Sequence, residues 1–383
     1  MNNFSYRNPT AIFFGKGVLE GLGEKASALG KRAVLVYGKA SAKKYGTYDL
    51  VRKQLKSAGV EVFDLGGVQE NPLLSLARKG IELARSKKAD FIIGLGGGSA
   101  IDTAKVIAVG AKTEADPWDI FSGKARIEGA LPVVAVVTVP ASASEANPVA
   151  VITNDELSMK AGISNPAMYP AMAFLDPALT ATLPLKNTAC AAVDIMAHVM
   201  EAYFTSQEEF SPVQDGYAEG LCKAVVSSMR RLKTEPQDYD ARASMMWAAT
   251  LAWNGVAQLG IRGASVPCHM LSYPISAHYG VVHGATLSIL LPAWLRHNKS
   301  RISLRLLKFG ENVFCLRVPT EEKVIDAICA FYREIGAPVF MSEAGVKNPD
   351  LLKMSLQAVE AARMRGVSGL TAEMALGVYS LAC

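Results

Sequence analysis

Apolar and polar positions along the first half of the chain alternate between two periods. Short β-branched runs read as strands: Arg32-Ala33-Val34-Leu35-Val36-Tyr37, Val60-Glu61-Val62-Phe63, Asp90-Phe91-Ile92-Ile93-Gly94-Leu95 and Val133 to Val139. Between them Tyr48 to Ser57, Leu73 to Ser86 and Ala100 to Val109 space their apolar residues as helices do. Runs that are apolar throughout suit strands covered on both faces, so the alternation predicts βαβ units and a parallel sheet. Past Pro184 the period is mostly helical: Ala189 to Phe204, Asp215 to Leu232, Asp240 to Leu259, Glu321 to Ile335 and Asn348 to Ala361. The expected organisation is an α/β domain over residues 1–185 and an all-helical domain over residues 186–383.

Charge and composition remove several classes of function. The 40 basic and 35 acidic residues leave a net charge of +5, spread along the chain without a long basic run, which gives no reason to expect nucleic acid or a membrane surface as partner. The N-terminal residues lack the apolar core of a signal peptide, and no uninterrupted apolar stretch reaches membrane-spanning length. Six scattered cysteines with no CxxC pair suggest neither a zinc knuckle nor a disulfide framework. A cytoplasmic protein with reduced thiols is expected.

Gly96-Gly97-Gly98-Ser99 follows an apolar strand and opens a helix. Glycines let the backbone approach a bulky ligand, and the helix behind them turns unpaired N–H groups and a positive dipole end toward it, which suits a pyrophosphate. Asp102 and Lys105 lie on that helix. A second turn, Gly38-Lys39-Ala40-Ser41, follows the strand ending at Tyr37. Dinucleotide folds often place an acid here to hold a ribose diol. No acid occurs between Tyr37 and Gly46, whereas Lys39, Lys43 and Lys44 do, which favours NADP(H) over NAD(H).

Of five histidines, His198 follows Asp194 by four residues in a helical stretch, so both project from one face. His269 and His283 bracket a segment rich in Ser, Pro, Tyr and Gly. Three imidazoles and a carboxylate can fill four positions around a divalent ion and leave room for a substrate oxygen. His278 and His297 are read as structural.

At this point the chain resembles the iron-containing, or group III, alcohol dehydrogenases, and most of all their butanol-dehydrogenase-like branch. The matching segments include Phe14-Gly15-Lys16-Gly17, Gly96-Gly97-Gly98-Ser99-Ala100-Ile101-Asp102, Pro140-Ala141-Ser142-Ala143-Ser144-Glu145, Leu179-Thr180-Ala181-Thr182-Leu183-Pro184, Val193-Asp194-Ile195-Met196-Ala197-His198 and Val282-His283-Gly284. The likeness runs from about Phe4 to Leu295 and fades toward Cys383. It implies an N-terminal α/β dinucleotide-binding domain with an all-α C-terminal domain, the two-domain architecture also found in dehydroquinate synthases, and an active site in the cleft between them. It implies metal ligation by Asp194, His198, His269 and His283, and cofactor contacts from Gly38, Ser41, Asn71, Gly97, Gly98, Ser99, Asp102, Thr138, Ser142 and Lys160. The implied activity moves a hydride between NAD(P)H and a small aliphatic aldehyde or alcohol, with iron(II), or zinc(II) or nickel(II), as Lewis acid on the substrate oxygen. A homodimer follows by family analogy.

Three departures bear on that expectation. Lys39 stands where branch members commonly have glycine, and Ala143 where many do, so any requirement for positive φ at position 143 would strain the backbone. Tyr273 replaces a histidine that in the family is thought to relay a proton near the substrate. A phenol, with a pKa ordinarily near 10, is a poor base at neutral pH but a serviceable hydrogen-bond donor. These departures keep a catalytically impaired nucleotide-binding homologue in view, beside a polyol dehydrogenase. A dehydroquinate synthase-type lyase needs a dense basic pocket, which the stretch from His269 to His283 does not supply.

Overall fold

The computed structural model describes residues 1–39 and 41–383, with Ser41 described through its backbone alone. The chain folds into two compact units: Arg7–Leu183, and Pro184–Cys383 together with Met1–Tyr6. The change of unit falls where the hydrophobic period changes. The return of the first six residues to the helical unit has no local signature.

The first unit is built on strands β1 (Ala11–Phe14), β2 (Arg32–Gly38), β3 (Glu61–Val68), β4 (Phe91–Gly97), β5 (Val133–Val139) and β8 (Met172–Leu175). They form a parallel sheet in the order β1-β8-β5-β4-β2-β3. Val34, Leu35, Val36, Ile92, Ile93, Val134 and Val136 in the three central strands are wholly buried, as strands covered on both faces require. Helices α1 (Leu22–Ala26), α2 (Ser41–Lys44), α3 (Thr47–Ser57), α4 (Leu74–Ser86), α5 (Gly98–Gly110) and α6 (Pro117–Phe121) belong to this unit. An antiparallel hairpin, β6 (Val149–Asn154) with β7 (Met159–Ser164), stands outside the sheet. The sequence pattern had announced neither β1, β8 nor the hairpin.

Strand order positions the nucleotide candidates. From β2 the chain goes first to β3 on one side and then to β4 on the other, so the winding reverses between β2 and β4. Open parallel sheets bind ligands beyond the carboxyl ends of the strands at such a reversal. Gly38 closes β2 and Gly97 closes β4, with Tyr37 level with Leu95 and Gly97 level with Val139 of β5.

The second unit consists of helices α7 (Leu185–Thr205), α8 (Pro212–Thr234), α9 (Tyr239–Ala252), α10 (Pro267–Tyr279), α11 (His283–Phe314), α12 (Glu321–Glu334), α13 (Leu351–Arg365) and α14 (Ala372–Ala382). One predicted element is corrected here. The helix expected over residues 240–259 ends at Ala252, and Gly255, at φ 99°, leads into a separate 3-10 turn, Val256–Gln258. Trp253, at φ −138°, already leaves the helical conformation, and the left-handed glycine then turns the chain despite an apolar pattern that runs on. Among the described residues, no helix is long and apolar enough to cross a membrane.

Helices α7 and α11 pack through Gly284, next in sequence to His283. A Cβ there would lie 2.1 Å from the backbone oxygen of Cys190, which cannot swing away as a side chain would. Gly284→Ala is therefore expected to destabilise the protein by about 1–3 kcal/mol through overpacking, read as a lower denaturant midpoint. An unchanged midpoint would mean that the two helices are not held at this spacing.

Candidate metal centre and nucleotide turn

Helix α7 presents Asp194, His198 and Glu201 at intervals of four and three residues, hence on one face. Helix α10 supplies His269 from its first turn and Tyr273 one turn later, and His283 is the first residue of α11. Gly280, in the left-handed conformation at φ 66°, caps α10 and lets the chain enter α11 after two more residues. The bracketing segment is thus helical for most of its length.

These elements bring four expected ligands together. Asp194 Oδ1 lies 3.7 Å from His198 Nδ1, 3.6 Å from His269 Nε2 and 3.6 Å from His283 Nε2. The Nε2 atoms of His198 and His269 are 3.2 Å apart. Asp194, His198 and His269 are buried, and their ligand atoms converge as those of a metal site do. Among the described residues, Asp194 Oδ1 and His198 Nδ1 are buried without a hydrogen-bond partner, and an ion would relieve the carboxylate oxygen. The donor set of imidazoles and a carboxylate fits a divalent first-row metal. His283 is the most open of the four, its side chain 26% exposed.

The electrostatics are those of a site built to hold positive charge. Burial would raise the Asp194 carboxyl, but the three imidazoles hold it well below the ordinary range. Burial, opposed by Asp194 and reinforced by His269, lowers His198 to about 4. At His269 burial is outweighed by Glu201 and Asp194, and the imidazolium is carried up to about 9. Two carboxylates thus favour the protonated form of His269, and a bound ion would take the place of its Nε2 proton. The Trp253 ring lies against His198 and His269, with centroids 4.9 and 6.3 Å away.

Glu201 was not singled out in the sequence. It touches His269 Nδ1 through one oxygen, and its side chain is fully buried. The available signal was its place on the Asp194–His198 face, an acid in an otherwise apolar run. His278, read as structural, lies elsewhere, its Nε2 2.6 Å from Gln357 Oε1.

In the α/β unit the nucleotide candidates fall into three groups. Gly38, Gly97, Gly98, Ser99, Thr138 and Ser142 gather at or just beyond the carboxyl ends of β2, β4 and β5. A Cβ on Gly98 would lie 2.3 Å from Ser142 Oγ, so the two turns approach as closely as glycine allows. Ala40 and the Ser41 side chain lie outside the described residues. Lys160 and Asn71 meet, the ammonium donating to Asn71 Oδ1 at 2.8 Å. Asp102 is occupied within the fold: Oδ1 accepts from Ser144 Oγ at 2.5 Å and Oδ2 from Val151 N–H at 2.9 Å.

Position 143 does require positive φ. Ala143 sits at φ 51°, ψ 22°, where a side chain costs roughly 1 kcal/mol. Of the lysines near the second turn, Lys39 is exposed. Lys43 Nζ lies over the rings of Tyr37 and Tyr48, 5.1 and 4.8 Å from their centroids.

Comparison with known proteins identifies the family. The family model described as iron-containing alcohol dehydrogenase matches residues 9–177, and that of the Fe-containing alcohol dehydrogenase family, C-terminal, matches residues 188–369. The chain is 35% identical to NADH-dependent butanol dehydrogenase A of Clostridium acetobutylicum over 365 residues, 94% of this chain and 93% of that one. It is 36% identical to the NADPH-dependent aldehyde reductase YqhD of Escherichia coli over 367 residues, 92% of each. The crystal structure of NADH-dependent butanol dehydrogenase A from Thermotoga maritima superposes with a TM-score of 0.96 at 35% identity, covering 100% of this chain and 99% of that one. The chain belongs to the iron-containing alcohol dehydrogenase family. It is an oxidoreductase of the alcohol dehydrogenase type, a class that works with NAD(P)H and a metal.

Proposed function

We propose that the protein reduces small aliphatic aldehydes to alcohols, and catalyses the reverse, with NADP(H) preferred over NAD(H) and iron(II) as the resident metal. The observation that carries the reading is the convergence of His198, His269 and His283 on the buried, unpartnered oxygen of Asp194. In this reading those four residues hold the ion, and the α/β unit, residues 7–183, binds the nucleotide. A bound divalent ion supplies Lewis-acid polarisation of a carbonyl oxygen, and the nicotinamide supplies the hydride.

The chain's own part is position, charge and proton supply. Asp194 balances the charge that its imidazoles hold around it. The N–H groups that open α5 at Gly98 and Ser99 face a pyrophosphate, with Ser142 beside them. Gly38, Ser41, Asn71, Thr138 and Lys160 complete the nucleotide contacts, and Asp102 contributes by fixing the segment from Ser144 to Val151. Tyr273, one turn from His269, serves as a hydrogen-bond donor to the substrate oxygen rather than as a base. The acid-free turn after β2, with Lys39 exposed at it, supports the 2′-phosphate preference. The relatives differ on this point: butanol dehydrogenase A is named NADH-dependent and YqhD NADPH-dependent. The family analogy also extends to a homodimer, and the scattered thiols suit the reducing cytoplasm.

The test is oxidation of NADPH, and separately of NADH, with butanal, on protein loaded anaerobically with Fe(II) or with Zn(II). Metal-dependent turnover, faster with NADPH at subsaturating cofactor, is expected. Equal or faster turnover with NADH would remove the role given to the lysine-rich turn. No turnover with metal bound would favour an impaired homologue, with Tyr273 and Ala143 as its causes.

A further inference from the structure

Glu201 follows His198 by three residues on α7. Its Oε1 accepts the backbone N–H of Cys268 and, at 3.3 Å, that of His269. These N–H groups belong to the first turn of α10, where no acceptor exists within the helix and the dipole favours a carboxylate. Its Oε2 meets Nδ1 of His269. The other ring nitrogen, Nε2, faces Asp194 Oδ1 at 3.6 Å and His198 Nε2 at 3.2 Å. Neither of the other two imidazoles is backed in this way. Among the described residues His198 Nδ1 is buried without a hydrogen-bond partner, and His283 Nδ1 lies 3.2 Å from the Ser272 hydroxyl, a neutral acceptor whose proton goes to His269 O.

We propose that Glu201 is a positioning residue that decides which nitrogen of His269 the metal meets. The inference rests on the metal reading given above. A neutral imidazole carries one N–H and one lone pair, and a carboxylate only accepts. Glu201 therefore keeps the proton on Nδ1, and Nε2 is left to offer its lone pair toward Asp194 and His198. The same contact fixes the ring plane and makes Nε2 a stronger donor, as carboxylates behind metal-binding histidines do. One side chain thus anchors the start of α10 and sets the tautomer of the ligand that α10 carries.

Glu201→Gln separates the two roles. With its amide oxygen at the Oε1 position, glutamine still accepts both backbone N–H groups. Its NH2 then faces Nδ1 and can only donate, which demands a lone pair on Nδ1 and a proton on Nε2. Flipping the amide would set the NH2 against two N–H donors. The experiment compares full-length wild type, Glu201→Gln and Asp194→Ala by chelator competition for Co(II), with the Co(II) absorption spectrum and far-UV circular dichroism. Glu201→Gln is expected to keep the metal-free circular dichroism, to bind Co(II) 10–100-fold more weakly and to shift the ligand-field bands. Wild-type affinity and an unchanged spectrum in Glu201→Gln would overturn the proposal. Absence of Co(II) binding by wild type, or binding unaffected by Asp194→Ala, would overturn the metal reading instead. If Glu201→Gln does not fold, 15N-histidine spectra of Zn(II)-loaded wild type decide. A proton on His269 Nδ1 with Nε2 bound to zinc is expected, and a proton on Nε2 refutes the proposal.

Discussion

Replacing Asp194 with alanine is expected to abolish metal retention and to lower kcat/KM for aldehyde reduction by about a thousandfold or more. Its Oδ1 is the point from which three imidazoles stand 3.6 to 3.7 Å away. Without it the one carboxylate oxygen toward which all three imidazoles converge is lost, and Glu201, spent on the far nitrogen of His269, does not replace it. Lewis-acid stabilisation is worth several kcal/mol, and each 1.36 kcal/mol is tenfold in rate, which gives the size of the loss. The metal-free fold should survive the change: among the described residues Oδ1 has no hydrogen-bond partner, and His269, which loses the pull of Asp194, keeps that of Glu201. Metal content after gel filtration and steady-state rates on the same sample are the measurements. A variant that retains one metal per chain with near wild-type turnover would move the active centre away from this cluster.

The second large effect is expected in the α/β unit. Lys105 is fully buried, and its ammonium donates to Asn147 O at 2.8 Å, Asn147 Oδ1 at 3.3 Å and Val149 O at 2.7 Å. Burial lowers its pKa to about 8, against the pull of Asp102 and Glu145. Three residues earlier on α5, Asp102 grips the same segment at Ser144 and Val151. The two charges together hold the strained turn at Ala143 in place. Lys105→Met keeps the apolar stem but takes the ammonium donor from the carbonyls of Asn147 and Val149 and removes the larger of the two cationic influences on Asp102. The expected cost is about 3–5 kcal/mol, as for other buried pairs that lose one partner. Denaturant unfolding of the full chain checks it, together with faster hydrogen exchange at Val151. A loss below about 1 kcal/mol would show that the segment is held by other contacts.

Legibility in the sequence followed burial geometry. The cores of β2, β4 and β5 were visible because strands covered on both faces are apolar without interruption. Strands β1 and β8, four residues each, are too short to show a period. Helix α10 and the start of α11 escaped for the opposite reason: Cys268 to Ser276 and Gly284 to Leu295 are buried on all sides, so they lack the polar face that marks an amphipathic helix. At the candidate site, the pairing of Asp194 with His198 was readable from helical spacing. His269 and His283 come from other elements and could be joined to that pair only through the family resemblance. The engagement of Asp102 with Ser144 and Val151, and of Glu201 with α10, depends on tertiary contacts that no spacing along the chain encodes.

The strand order has a consequence for biosynthesis. Ala11 of β1 pairs with Met172 of β8, and the amide of Asn2 donates to Gly260 O at 2.9 Å. The parallel sheet therefore cannot close its β1 edge until almost the whole first unit has left the ribosome, and the leading residues wait longer still for a partner from the second. Contacts so distant along the chain make for slow folding and for nascent strands that stand exposed meanwhile. Expression yield should accordingly respond more to chaperone supply and translation rate than to changes in the stability of the finished protein.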